Sequence, residues 1–225
     1  RDSVASRGLG DVYKRQELDN AFDLKCQRGF IQTNNYYEEK SFEYDEKIFG
    51  VGDNTSLFGF FQTEKYFKHI EDAIRIDFTF KKEIQNTCDE ITEQFDNPIA
   101  LHIRRGDFLI NSGNHANLGL DYYERALKEF DEKRQVIIFS DDPIWCKEQD
   151  IFSDDRFLVS DGNSPYQDLY MMTKCSDFII ANSTFSWWGA WLANVGKVIA
   201  PSIWFGPNLK HKNLKDLYCN NWVVL

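Results

Sequence analysis

The sequence predicts an α/β fold built on a parallel sheet covered by helices, and two observations carry that reading. Past residue 97, short β-branched apolar runs alternate with segments of helical periodicity, joined by short connections. The run Ile99-Ala-Leu-His-Ile-Arg-Arg-Gly-Asp107 then places a histidine and adjacent arginines where a buried strand ends. In open α/β folds ligands sit outside the carboxyl ends of the strands.

Each element has a local cause. Pro98 introduces the strand 99–103 and Gly106 breaks it. A Gly/Asn-rich loop over 111–119 leads to a helix from Asp121 to about Lys133. Val136–Phe139 is a strand, after which Asp142 caps, and Pro143 opens, a short helix over 143–149. Phe157–Val159 is a strand. Ser164, Pro165 and Gln167 form a capping-box pattern that starts a helix to about Lys174. Phe178–Ala181 runs through a hydroxyl-rich turn into a helix over 184–194, and Lys197–Ala200 follows as a strand.

Upstream, Thr63 is expected to cap a helix to about Ile74, and a second helix is expected over Lys81–Phe95. Glu17 to about Asp53 is polar, aromatic and weakly periodic, and reads as the remnant of an upstream domain plus a linker. Arg1–Gln16 has neither helical nor strand periodicity and reads as a non-native tail. The expected organisation is therefore a tail over 1–16, a remnant with linker helices over 17–96, and a ligand-binding domain over 97–225.

A chain of 225 residues suits one large α/β domain or one and a half smaller ones. With 42% hydrophobic residues, including 19 Phe, 10 Tyr and 6 Trp, it can bury a sizeable core. The net charge of −10 argues against nucleic acid as the main partner. A local basic site in an acidic protein suits a small anionic ligand. The five cysteines are scattered with no CxxC, which favours reduced thiols and a cytoplasmic setting. No segment has the length of apolar sequence that a membrane span needs, and the first residues lack the apolar core of a signal peptide.

Several strand ends could carry chemistry. Arg104 and Arg105 can hold a phosphate in a bidentate geometry that lysine cannot reproduce, whereas an arbitrary arginine pair would more often make surface ion pairs. His102 lies on the strand face opposite Leu101 and Ile103, as a ligand contact or a satisfied core histidine. Asp107 can partner an arginine or act as a base. Ser140-Asp-Asp-Pro143 has the wrong spacing for an Asp-x-Asp metal pair and the right one for a helix cap, so no metal is expected. The turn Asn182–Ser186 offers backbone N–H groups and a helix dipole to an anion, with hydroxyls from Ser183, Thr184 and Ser186, and can equally be an ordinary N-cap. Trp187, Trp188 and Trp191 are expected to pack the core rather than to stack on a base.

Three blocks together resemble a known family. His102-Ile-Arg-Arg-Gly-Asp107, Gly59-Phe-Phe-Gln-Thr-Glu-Lys-Tyr-Phe67, and Asp168-Leu-Tyr through Asn182-Ser-Thr-Phe-Ser-Trp-Trp-Gly-Ala-Trp191 look like motifs of glycosyltransferase family 11, the α-1,2-fucosyltransferases, in their bacterial form. The resemblance implies a GT-B arrangement of Rossmann-like domains and GDP-β-L-fucose as donor, with no metal or other cofactor. It implies that Arg104 contacts the donor pyrophosphate, with Arg105 assisting and His102 beside the nucleotide. Asp161 or Asp168 would lie near the guanine, and Asn182, Ser183, Thr184 and Ser186 near the phosphates. Asp107 is the visible candidate for a catalytic base. The acceptor would be a galactose-terminated glycan, with nucleic acid excluded and contact with the inner membrane left open. The family's opening strand and Gly-Gly-Leu-Gly-Asn-Gln turn have no equivalent beyond Arg7-Gly-Leu-Gly-Asp11, so the resemblance also implies a truncated acceptor-side domain. Alternatives are a GDP-sugar-binding fragment without catalysis, or a GDP-dependent transferase of another sugar.

Overall fold

A computed structural model describes residues 18–24 and 33–225, so the expected tail over 1–16 lies outside the described residues. Strand β1 (Asn35–Glu38) pairs in parallel with β2 (Thr55–Phe58). Helices α1 (Glu71–Asp77) and α2 (Lys82–Thr92) follow. The remaining chain alternates: β3 (Ile99–Ile103), α3 (Gly106–Ile110), α4 (Leu120–Leu127), β4 (Val136–Ser140) and α5 (Pro143–Lys147). Then come β5 (Phe157–Val159), α6 (Pro165–Thr173), β6 (Asp177–Ile179), α7 (Thr184–Ala193), β7 (Val198–Ala200) and β8 (Val223–Val224).

The larger sheet has the order β5-β4-β3-β6-β7-β8, and every pairing in it is parallel. Counted within this sheet, the order is that of a Rossmann fold, and it reverses between β3 and β6. The central strands are mostly apolar because helices cover both faces. Ala100, Ile137, Phe139, Phe178 and Ile180 pack with Ile84, Cys88, Tyr170, Met172 and Ala190. The alternate residues Ile99, Leu101, Ile103, Ile138 and Ile179 pack on the opposite face with Tyr122, Tyr123, Ala126 and Phe152. The Tyr122 hydroxyl donates to the carbonyls of Ile180 (2.8 Å) and Ile199 (3.2 Å), where β6 and β7 end.

The caps read from the sequence are present. Asp142 accepts from the Trp145 N–H, and Ser164 and Gln167 complete a capping box. The tryptophans do pack the core: Trp187 and Trp191 are buried with Phe42, Trp204 and Leu217, and the Trp187 indole N–H donates to the Leu217 carbonyl at 2.9 Å. Residues of the upstream stretch pack directly on the domain, Phe22 joining the face of Phe178 and Tyr170.

Some expectations fail for identifiable reasons. Thr63 does cap, accepting from the Lys65 N–H, but the next residues form a pair of 3-10 turns (Glu64–Tyr66 and Lys68–Ile70) before α1 begins. Phe67 leaves helical geometry at φ −131°, ψ 5°, where its ring stacks on Trp188 at 5.4 Å. The helix expected to run to Lys133 stops at Leu127. Beyond it the Asp131 carboxylate accepts from the Lys133 N–H and its carbonyl from the Arg134 N–H, folding the chain into a turn that feeds β4. Strands β1 and β2 are short and half-polar, and β8 is only two residues long, so none carries a periodic signal.

Trp187→Ala removes a buried indole and orphans the Leu217 carbonyl. We expect a loss of about 3–5 kcal/mol of folding free energy by chemical denaturation, the cost of deleting a buried aromatic.

Candidate functional site at the point where the strand order reverses

The ends of β3 and β6 flank the place where the strand order reverses, which is where a doubly wound sheet opens a ligand crevice. The β3 end is held by two aspartates at the end of β4. One Asp141 oxygen accepts from the Arg105 N–H at 2.9 Å and the other pairs with the Arg104 guanidinium at 3.0 Å. Gly106 sits against that carboxylate: a Cβ there would lie 2.4 Å from Asp141 Oδ2 and would push the carboxylate away from its partners. Asp142 pairs with Arg105 Nε at 3.0 Å while capping α5, and the Arg105 guanidinium lies 3.7 Å over the Trp145 ring.

The arginine pair therefore divides. Arg105 braces α5 through its stacking and its ion pair. Arg104 is held by Asp141 and by Asp107, whose side chain is 66% exposed. An ion pair as exposed as Arg104–Asp107 contributes little, so that contact can be exchanged for an arriving anion at small cost while Asp141 keeps hold of the guanidinium.

His102 is buried on the face of Ala100, with its ring 5.3 Å from that of Phe185 in α7. Its Nδ1 is buried and has no hydrogen-bond partner. Burial first, and then the Arg104 charge, push the imidazole down to about 3. His102 is thus a neutral ring with one unsatisfied nitrogen, a state that buried polar atoms rarely keep without a partner.

Across the crevice, Ser183 caps α7 by accepting from the Phe185 N–H at 3.3 Å, and Thr184 is exposed in its first turn. The other residues of this turn are engaged inside the protein. Asn182 donates to the carbonyls of Ala116 (2.9 Å) and Trp204 (2.8 Å), tying two loops to the β6 end. The buried Ser186 hydroxyl lies within reach of the Ala181 and Ser183 carbonyls.

Asp161 and Asp168 stand by the end of β5, two strands from β3. Asp161 pairs with Lys147 at 2.7 Å, and that lysine holds its carboxyl below the usual range. Asp168 is half-buried and burial raises its carboxyl, while Ser160 donates to it at 2.7 Å. Among the described residues no group of three or more His, Cys, Asp or Glu is placed to hold a metal, and no helix is long and apolar enough to cross a membrane.

Sequence reasoning missed Asp141 and Trp145 as supports. The Asp-Asp pair was weighed only as metal ligands or a cap, and its reach to β3 is a tertiary fact.

The folded-state value of His102 lies below the free value of 6.5, so the unfolded chain takes up the proton first. This residue therefore lowers stability as the pH falls from about 6.5 toward 3. Thermal melting of His102→Gln beside the unmodified chain should show a shallower acid loss in that window. Parallel profiles would mean that the imidazole is not held neutral.

The sequence profile of Glycosyl transferase family 11 matches residues 26–225. The O-antigen biosynthesis glycosyltransferase WbnK of Escherichia coli is 32% identical over 210 residues, covering 85% of this chain and 70% of that protein. An alpha-1,2-colitosyltransferase of Escherichia coli is 37% identical over 180 residues, covering 74% of this chain and 62% of that protein. Galactoside alpha-(1,2)-fucosyltransferase 1 of Aotus azarae is 25% identical over 159 residues, covering 61% of this chain and 42% of that protein. The chain thus spans well under the full length of each relative. With the family profile covering nearly all of it and the motif residues assembled where the strand order reverses, this chain belongs to glycosyltransferase family 11.

Proposed function

We propose that the chain serves the transfer of L-fucose from GDP-β-L-fucose to the 2-hydroxyl of a galactose-terminated glycan, with inversion at the anomeric carbon and without a metal. The observation that carries this reading is that Arg104 follows the end of β3 and the α7 N-terminus follows the neighbouring β6, on either side of the point where the strand order reverses, with the His102 ring 5.3 Å from that of Phe185 in α7. The leaving group of such a reaction is a nucleoside diphosphate, whose charge must be met as the glycosidic bond breaks. Arg104 meets it from one side with a planar pair of N–H donors, and the free N–H groups of the first turn of α7 meet it from the other, with Ser183 and Thr184 at that end. Fixed donors of this kind cost no reorganisation when the charge develops. Arg105 keeps the β3 turn and α5 in place.

His102, neutral and with Nδ1 unpaired, supplies one hydrogen bond to the nucleotide without adding a charge. Asp168, with Ser160 and Asn163, offers acceptors on the β5 side for the donor groups of a guanine, and Asp161 lies at the exposed edge of that network. Asp107 is the carboxylate positioned beside Arg104, and in this reading it accepts the acceptor hydroxyl's proton once an anion has drawn Arg104 away. In this reading no metal is used; what supports it is that Asp141 and Asp142 are each committed to an arginine, and Asp142 to a helix cap as well. A second reading, a GDP-linked colitosyl or other deoxyhexosyl donor, is favoured by the 37% identity to a colitosyltransferase. Competition between GDP-sugars for the same site separates the two, and single-turnover transfer to lactose separates a transferase from a binding fragment.

Arg104→Ala should raise the GDP dissociation constant at least about tenfold by calorimetry, since a hydrogen bond to a charged group contributes roughly 1.5–3 kcal/mol. Arg104→Lys should fail to restore it, because lysine lacks the planar fork. GDP binding that is unchanged in a folded variant would remove Arg104 from the site. Fucosyl transfer should also persist in excess EDTA, and an activity restored only by Mn²⁺ or Mg²⁺ would return Asp141 and Asp142 to a metal role.

A further inference from the structure

A cavity of about 280 Å³ opens between the 59–63 loop and α7, lined by the rings of Phe60, Trp187, Trp188 and Trp204 together with Gln62 and Thr184. None of its lining residues carries a charge. Gln62 Oε1 is buried without a hydrogen-bond partner. The loop that presents it is held in an unusual shape. The Glu39 carboxylate accepts the N–H groups of Phe60 (2.8 Å) and Phe61 (3.2 Å), and Phe61 sits at φ 48°, a region bulky residues avoid. Gly59 permits the approach, since a Cβ there would lie 2.5 Å from the Glu39 Cβ. Phe60 is left 76% exposed at the rim.

We propose that this cavity is a saccharide subsite that takes one neutral pyranose ring, with the Gln62 amide turning to bring its unpaired Oε1 to a ring hydroxyl and the aromatic rings packing on the sugar's C–H face. The chemistry narrows the occupant. The lining carries no formal charge, and only Thr184, at the helix end that would hold the diphosphate, touches a phosphate-binding element, so the rest of the wall suits a neutral ring; the size suits a single ring rather than a nucleotide. A buried amide oxygen without a partner calls for a hydroxyl or amide donor, and a pyranose offers both that donor and an apolar face. Thr184, in the first turn of α7, lines the cavity. The inference rests on the donor reading above for its location: a sugar held here lies at the helix end that would hold the leaving diphosphate. The same chemistry fits the donor's deoxyhexose and the acceptor's terminal sugar.

The test is saturation-transfer NMR on the full chain with methyl α-L-fucoside and methyl β-D-galactoside, and with the variants Gln62→Leu and Phe60→Ala. One glycoside should receive saturation, the fucoside if the ring is the donor's and the galactoside if it is the acceptor's. Gln62→Leu should weaken its binding about tenfold, the loss of one buried hydrogen bond. It should also melt at or above the temperature of the unmodified chain, because it removes an unsatisfied oxygen from the interior. A merely structural amide would do the reverse and lower the melting temperature. Phe60→Ala, at an exposed rim position, should weaken binding without affecting folding, and it decides the matter should Gln62→Leu not fold. Saturation of neither glycoside, full binding by both variants, or displacement of the glycoside by guanosine would overturn the subsite. If GDP binds the unmodified chain while neither glycoside responds, the subsite fails and the donor reading stands. If a glycoside responds as described while GDP does not bind, the reverse holds.

Discussion

The ion pair and hydrogen bond that Asp141 makes across the sheet are what the rest of the site depends on. β3 and β4 are adjacent, in register, and end together, so a carboxylate one residue past β4 meets the backbone one residue past Arg104. By accepting the Arg105 N–H it sets the direction in which the chain leaves β3. By pairing with Arg104 it aims that guanidinium. The absence of a side chain at Gly106 is the condition for both contacts. The run His-Ile-Arg-Arg-Gly-Asp is thus a device for turning a parallel strand sharply while leaving one cation adjustable at its end.

The charges around the crevice resolve an apparent conflict. A chain with a net charge of −10 is a poor host for a nucleoside diphosphate at long range. Locally, both arginines are already neutralised by aspartates, and the opposite wall is the end of a helix, whose donors carry no formal charge. In the proposed reading, affinity for a diphosphate comes from exchange of partners at Arg104 and from fixed dipoles, and specificity over other anions rests on geometry, not on excess positive charge.

Much of this was legible in the sequence because local rules decide it. The strands 99–103, 136–140 and 157–159, the Asp142 cap and the Ser164–Gln167 box sit where periodicity and capping chemistry place them. The fate of Asn182 and Ser186 was not legible, since Asn182 donates to the distant carbonyls of Ala116 and Trp204 and Ser186 to the carbonyls of Ala181 and Ser183, which any sequence provides. The same holds for Phe67 and the helix expected at Thr63: the cap was legible, but the chain leaves helical geometry at Phe67, whose ring stacks on the distant Trp188. Gln62 lay in plain view in the Gly59–Phe67 block, yet its isolation is a property of packing that no spacing encodes.

Helix α7 is gripped at both ends by one stretch of upstream chain. Beside its first turn lies the 59–63 loop, and at its last turn Arg75 stacks on Trp191 at 3.8 Å and donates to the Trp191 and Leu192 carbonyls. Trp191 in turn donates to Glu64. Residues 59–75 therefore belong mechanically to the helix, although they precede the sheet that carries it. For modular inheritance this moves the seam. A recombination event that exchanged the preceding segment at residue 97 would leave α7 without its clamp, whereas one upstream of Gly59 would carry helix and clamp together as one heritable unit.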